Sequence, residues 1–397
     1  MSYRRIYVLV MDSVGIGYDD TSKKYNDEGA NTLKHIAEFN NGLNIPTLNS
    51  LGLGDLEDIK GTGKVAHPHS YVMKAREASN GKDTMTGHWE MMGIKTDHPF
   101  KTFTEHGFPK ELIDQIEEQT GHKVIGNIAA SGTDILEEMG EEQVRDNSII
   151  VYTSSDSVLQ IVASEEVTGL NELYRICEIT RKLTMKPEWM VGRVIARPFV
   201  GKRRGEFKRT PNRHDYTLLP PCETVLNVLK DNKFRVVSVG KIGDIFSQYG
   251  ITDSFKTVSN SDGMARTIEI IKDSDFDKGL CFINLVECDS EYGHRRDPVG
   301  YKNALEIFDK ELGELLSSLE EDDLLIVTAD HGNDPTWHGT DHTREKVPLI
   351  IYSKKIYNGR MLNERNSFAD IGATILDNFR LCKPEHLIGE VIKEVNE

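Results

Sequence analysis

The feature that most constrains this chain is a set of short, unbroken apolar runs. They read "IYVLVM" (6–11), "FRVVSVG" (234–240), "CFINLV" (281–286), "LLIVTA" (324–329) and "VPLIIY" (347–352). Their length and β-branched content suit strands, and they lack the polar alternation of a strand with one wet face. A continuous run is what a strand shows when helices cover both faces of its sheet. Amphipathic segments separate the runs. In "KNALEIFDKELGELLSSLEE" (302–321), Leu305, Phe308, Leu312, Leu315, Leu316 and Leu319 recur at helical spacing. Strand and helix in alternation predict an α/β fold, with all five runs as buried strands of a mostly parallel sheet lying between helices.

At 397 residues the chain exceeds what one hydrophobic core organises, so two domains are expected. Residues 99–220 read differently from the rest. They hold a charged helical stretch (109–119), the strand-like "SIIVYTSSDS" (148–157), a second helical stretch (171–184) and a loop rich in Arg, Pro and Gly (193–213). We read them as a smaller domain inserted into the first, between "DHPF" (97–100) and "LLPPC" (218–222), where proline suits an exposed connection. The expected division is therefore 1–98 and 221–397 for the core and 99–220 for the insert.

Composition narrows the function classes. The net charge of −16 disfavours nucleic acid and anionic membranes as partners, and an anionic substrate would need local cations. No apolar run approaches the ~20 residues of a membrane span. The N-terminal "MSYRRIYVLVMDSVG" lacks the longer apolar core and cleavage site of a secretion signal, so a cytoplasmic location is expected. Cys177, Cys222, Cys281, Cys288 and Cys382 are odd in number and without CxxC spacing, which suggests neither a disulfide framework nor a thiolate cluster. Cys281 and Cys288 read as small buried residues.

The strand ends carry the chemistry. The first run ends in Asp12, the third is followed by Asp289, and the fourth leads into Asp330 and His331. Ligands of open α/β sheets bind at the carboxyl ends of strands, so three aspartates far apart in sequence could converge there. The plainer alternative is that each caps a following helix. "ECDSEYGHRRDP" adds His294, and "IVTADHGNDPTWHGTDHTRE" (326–345) holds three histidines and three aspartates. Mixed carboxylate and imidazole donors suit Zn²⁺ or Mn²⁺, and the pool is large enough for two ions with open positions. Spacing alone leaves the choice among the six residues of 328–345 open.

Two further stretches complete the inventory. "SNGKDTMTGHWEMMG" (79–93) sets Thr84 and Thr86 beside Lys82, Asp83 and His88; either threonine is a candidate nucleophile, or else the N-cap of a helix. "GRVIARPFVGKRRGEFKRTPNRHD" (192–215) packs eight basic residues between Arg193 and Arg213 with Glu206 as the one acid. Guanidinium forks suit phosphate, and Arg193 and Arg209 are better placed for it than the Gly-flanked 202–204. Lys241, directly after a strand, brings positive charge to a strand end. Together these point to a phosphoryl-transfer enzyme, with mutase and hydrolase not yet separated.

At this point the motifs "DTMTGHWEMMG" (83–93), "GRVIARPFVG" (192–201), "TPNRHDY" (210–216), "DSEYGHRRDP" (289–298) and "ADHGNDPTWHGTDHTRE" (329–345) resemble those of the bacterial phosphopentomutases, in the alkaline-phosphatase superfamily. The resemblance runs from residue 8 to 375. It implies an alkaline-phosphatase-like core with an inserted α+β cap, and two Mn²⁺ ions per chain. Asp289, His294 and His342 would hold one ion, and Asp12, Asp330 and His331 the other, leaving His338, Asp334 and Asp341 in turns or supporting positions. Thr84 would carry the phosphoryl group. Arg193, Arg209 and Lys241 would grip the distal phosphate, while Ser154 and Asp156 would meet sugar hydroxyls. The implied substrates are small pentose phosphates, with a sugar bisphosphate such as glucose 1,6-bisphosphate as activator. The segment "NLVECDSEYGH" departs from the expected pattern at Glu287 and Cys288, which touches packing around Asp289 and leaves its spacing to His294 intact. A cofactor-independent phosphoglycerate mutase would be expected to offer serine where Thr84 stands, and a larger insert. A phosphatase or sulfatase would let water attack the covalent intermediate, and a non-catalytic metal protein would leave the Thr84 motif without a role.

Overall fold

The computed structural model describes residues 3–154 and 157–396. The chain divides into two compact units, Met1–Pro99 with Leu219–Glu397, and Phe100–Leu218.

The larger unit is built on an eight-stranded sheet. In spatial order its strands are Asp253–Phe255, Arg235–Val239, Gly279–Leu285, Arg5–Met11, Asp323–Thr328, Val347–Tyr352, Ser70–Ala75 and Arg360–Met361. The first five run parallel. Arg5–Met11 lies between Gly279–Leu285 and Asp323–Thr328, and all three are buried along their whole length. Their register aligns Met11 with Leu285 and Val10 with Thr328. The segments that follow, starting at Asp12, Val286 and Ala329, therefore leave the sheet at one edge.

"VPLIIY" departs from expectation. Val347–Tyr352 is antiparallel to both Asp323–Thr328 and Ser70–Ala75. An unbroken apolar run reports that both faces are covered and carries no sign of direction, so it reads the same either way. The amphipathic helix begins earlier than its apolar spacing suggested, at Pro298, and runs to Ser318. Asp297 caps it through the amides of Val299 and Gly300. Tyr301, Ala304, Leu305, Phe308, Leu312 and Leu315 form its buried stripe.

The smaller unit is α+β. Its sheet runs Val124–Ala129, Ile149–Thr153, Val158–Ser164, Arg193–Val200 and Lys208–Arg209, with His214–Thr217 also paired to Arg193–Val200. Leu112, Ile116, Leu173 and Ile176 from helices Lys110–Thr120 and Leu170–Leu183 pack with Val151, Ile161, Val194 and Ala196 of the sheet. Ile135 and Leu136 of helix Gly132–Asp146 join Ile150, Tyr152, Val162 and Phe199 in a second cluster. The basic stretch expected as a loop (193–213) is instead largely strand at its start. Its alternation sends Val194 and Ala196 into the first cluster and leaves Arg193 and Arg197 on the opposite face. Residues 201–207, with exposed Lys202, Arg203 and Arg204, and 210–213 keep the loop character.

Candidate metal centre

The three strand ends bring two groups of side chains together. In the first, His331 Nε2 lies 3.3 Å from Asp330 Oδ2 and 3.6 Å from Asp12 Oδ1, all three residues being buried. In the second, Asp289 lies 3.3 Å from both His294 and His342, whose Nε2 atoms are 3.1 Å apart. The rings of His331 and His342 stack with centroids 3.9 Å apart. Donor atoms of Asp12, Asp330 and His331 fit within one 4.8 Å cluster, and so do those of Asp289, His331 and His342. His331 therefore stands between the groups. None of the three aspartates caps a helix. Asp289 sits inside a wide π-helical turn, Cys288–Gly293, which carries the chain round to His294.

Hydrogen bonding at the far side of each ring defines which nitrogen faces inward. His331 Nδ1 meets the carbonyl of Gly332 at 3.0 Å, and His294 Nδ1 meets that of Thr340 at 2.7 Å. A carbonyl only accepts, so each Nδ1 carries hydrogen, and in the neutral ring Nε2 is the atom that presents a lone pair to the carboxylates. Asp12 Oδ1 and Asp330 Oδ2 are buried without a hydrogen-bond partner. The nitrogens of His88 and His331 approach Asp330 Oδ2 at 3.2 and 3.3 Å, but neither contact has hydrogen-bond geometry. Lone pairs facing carboxylate oxygens at such distances repel unless positive charge lies between them. Orphaned buried oxygens, inward imidazole lone pairs and a mixed O/N donor set are what a divalent transition metal requires.

Burial, reinforced by the charges of Asp330 and Asp289, pushes the Asp12 carboxyl up to about 7. Burial also works to raise Asp330 and Asp289, but the imidazoles of His331 and His88 hold the former below the carboxylate range, and those of His342 and His294 the latter. His331 is raised against its burial, chiefly by Asp330.

Thr84 opens the helix Thr84–Met91, with its Oγ1 3.2 Å from His331 Nε2. Neither threonine is the N-cap. Asp83 fills that place, accepting from the Thr86 amide at 3.0 Å and the Thr86 hydroxyl at 2.6 Å. Two residues that the sequence reading gave no role join this helix to the ligands. His88, one turn after Thr84, places Nδ1 2.8 Å from the Thr84 carbonyl and Nε2 2.9 Å from the Asn284 amide, which also donates to Asp12 Oδ2 at 2.9 Å. The i, i+4 spacing from Thr84 was the one available signal for His88. Asn284, inside an apolar run, gave none.

His338 meets the Asn26 carbonyl at 2.7 Å, Asp334 binds His35, and Asp341 pairs with Lys82 at 3.2 Å. Exposed Lys241 precedes the short helix Ile242–Ile245, and its charge acts to lower Asp12. Glu287 accepts from the amide of Asn260, and burial pushes the Cys288 thiol up. In the smaller unit Arg193 is half-buried and 3.6 Å from Asp215, Arg209 is exposed, and Ser154 follows Ile149–Thr153. Asp156 lies outside the described residues. Arg197, unremarked in the sequence, donates to Gln160 at 3.0 Å.

A parallel core sheet with carboxylates and imidazoles at its strand ends defines an alkaline-phosphatase-like metalloenzyme, and the metalloenzyme superfamily model matches residues 4–383. A protein of Pyrococcus horikoshii shares the fold at a TM-score of 0.50, with 13% identity over 97% of this chain and 99% of that one. Among curated relatives, the phosphopentomutase of Clostridium beijerinckii is 57% identical over 390 residues, covering 98% of each chain. That of Clostridium tetani is 56% identical over 394 residues, covering 99% of this chain and 98% of the other. The chain belongs to the phosphopentomutase family within that superfamily. It is accordingly an isomerase of the intramolecular phosphotransferase type. Among the described residues no helix is long and apolar enough to cross a membrane.

Proposed function

We propose that this chain interconverts ribose 1-phosphate and ribose 5-phosphate, and the corresponding 2-deoxyribose phosphates, serving nucleoside salvage and catabolism in the cytoplasm. The observation that carries the reading is Thr84 Oγ1 lying 3.2 Å from His331, the residue shared by the two donor groups. Asp12, Asp330 and His331 would hold one Mn²⁺, and Asp289, His294 and His342 another; when bound, the pair supplies Lewis acidity that offsets phosphoryl charge.

The chain's own residues do the rest. Thr84 stands in the first turn of a helix, where free amides and the helix dipole favour a phosphoryl dianion. In the resting phosphoenzyme Thr84 Oγ carries the group. A free sugar hydroxyl attacks that phosphorus, the new O–P bond forms, the Thr84 Oγ–P bond breaks, and the hydroxyl proton ends on Thr84. The resulting pentose 1,5-bisphosphate turns over within the site. Thr84 Oγ then attacks the other phosphorus, the sugar O–P bond there breaks, and the sugar oxygen takes the proton from Thr84, restoring the phosphoenzyme and releasing the isomeric monophosphate. The cycle needs priming, which assigns a sugar bisphosphate such as glucose 1,6-bisphosphate as activator. The family resemblance assigns Ser154, Asp156, Arg193, Arg209 and Lys241 to substrate contacts and the smaller unit to the role of cap.

The test is the product. With Mn²⁺ and a trace of sugar bisphosphate, purified protein should turn ribose 1-phosphate into ribose 5-phosphate; inorganic phosphate as the main product would mark a phosphatase instead. Thr84→Ala should lose turnover and covalent phosphate together, and retained turnover would remove Thr84 from its role.

A further inference from the structure

One side chain touches the supports of all three members of the second donor group, and it is none of the expected ligands. Arg296 lies three residues after the π-helical turn ends at Gly293, in a left-handed conformation (φ 54°), and its guanidinium meets five acceptors. Nε donates to the Gly339 carbonyl at 2.5 Å and Nη2 to that of Asp341 at 3.0 Å. Nη1 meets the Gly293 and Asp334 carbonyls at 3.0 Å and Asn333 Oδ1 at 2.6 Å. Four of the five acceptors belong to residues 333–341, the loop that ends at His342.

These bonds converge on geometry. Gly339 and Asp341 flank Thr340, whose carbonyl takes the Nδ1 hydrogen of His294 at 2.7 Å. By holding the carbonyls on either side, Arg296 orients the Thr340 peptide, and that peptide fixes the tautomer and direction of His294. Asp341 is bonded to His342 through the next peptide, so the same grip sets where that ring begins. Asn333, accepting from Arg296 through Oδ1, donates through Nδ2 to Asp289 Oδ1 at 2.9 Å. Asp289, His294 and His342 are thus each one link from a single guanidinium. The other group is held by different partners: Asp330 Oδ1 by the Ser13 amide at 3.0 Å, Asp12 Oδ2 by Asn284 at 2.9 Å, and His331 by Gly332.

Resting on the two-ion reading above, we propose that Arg296 is the positioning residue of one metal site alone, the site of Asp289, His294 and His342. Its planar fork spans carbonyls from residue 293 to 341, which a lysine ammonium cannot do. Outer partners of metal ligands commonly set affinity by 10–100-fold.

The experiment is a Mn²⁺ titration of chelator-stripped full-length protein, with free Mn²⁺ read by its electron paramagnetic resonance signal. Wild type should bind two ions. Arg296→Ala should keep one at unchanged affinity and bind the other about 10–100-fold more weakly, and Arg296→Lys should not restore it. Adding Asp330→Asn to Arg296→Ala should remove the remaining tight ion, which identifies the spared site. Asn333→Ala, cutting only the link to Asp289, should weaken the same site by a smaller factor and serves where Arg296→Ala does not fold. Two ions bound by wild type and equally well by the variants, or weakened equally at both sites, overturn the role of Arg296 alone. Fewer than two ions on wild type overturn the two-ion reading and this inference with it.

Discussion

Gly87→Ala tests how tightly the Thr84 helix is seated against the strand end that carries Asp330 and His331. A Cβ at residue 87 would lie 2.3 Å from the Asp330 carbonyl oxygen and 2.9 Å from Asp330 Cβ. The first of these is about 1 Å short of the 3.4 Å at which ordinary contact begins, and the obstacle is backbone, so the helix must move. Gly87 has no positive φ, and alanine in a helix interior is favoured by ~1 kcal/mol. Overpacking costs about 1–3 kcal/mol, leaving a net stability change of about 0–2 kcal/mol. Catalysis should suffer more. Thr84 Oγ1 is 3.2 Å from His331 Nε2, and a displacement of ~1 Å at a reacting group costs on the order of 10²-fold. That corresponds to ~2.7 kcal/mol of barrier. Steady-state rates of pentose phosphate isomerisation and a thermal melt, on the same preparation, separate the two effects. The expected result is a melt shifted by a few degrees with kcat/KM down about 100-fold. A Gly87→Ala enzyme within about threefold of wild type would refute the close seating and the alignment drawn from it.

Three shorter predictions follow from other contacts. His342→Ala should bind one metal ion fewer than wild type in equilibrium dialysis, whereas His338→Ala, whose ring is engaged by Asn26, should keep the full complement. The Arg344 guanidinium is buried against Glu77 and the carbonyls of Glu77, Ser79 and Gly81, so Arg344→Met should cost about 3–5 kcal/mol in urea denaturation, and Glu77→Leu added to it should recover part of that loss. Bonding to Asp334 at 2.5 Å raises the pKa of His35 above 6.5. A raised histidine gives stability that is complete below its unfolded pKa and fades as pH rises through its folded one. His35→Gln should therefore be more destabilised relative to wild type at pH 6 than at pH 9, and an equal gap at both would refute a charged His35.

Much of the fold, and of the candidate site, is legible in the sequence. Continuous β-branched runs with amphipathic spacers are the local signature of strands covered on both faces, and the strands Arg5–Met11, Arg235–Val239, Gly279–Leu285 and Asp323–Thr328 lie side by side and parallel as that pattern predicts. Acidic residues immediately after such strands, with histidines close behind, pointed to a candidate site because strand ends in a parallel sheet share one side. The direction of Val347–Tyr352 was not legible, since burial on both faces leaves no trace of orientation. Nor was the strand Arg193–Val200, whose arginines on one face hid the apolar alternation on the other. Asp83 took the cap position for which Thr84 and Thr86 were candidates, a choice that depends on which side chain reaches the free amides.

What the chain determined locally, then, was residue type and period: where strands end, where charge gathers, which segments can be helices. What tertiary structure alone decided was partnership across long separations. Arg295 and Arg296 are identical neighbours on paper. One lies exposed against Glu291 at 2.8 Å, while the other turns inward and gathers carbonyls as far along as residue 341. Asn284 and His88 likewise become supports of Asp12 and Thr84 only once strand and helix meet. Hydrogen bonds are directional and reach about 3 Å, so whether two groups share one depends on the packed backbone that sets their positions.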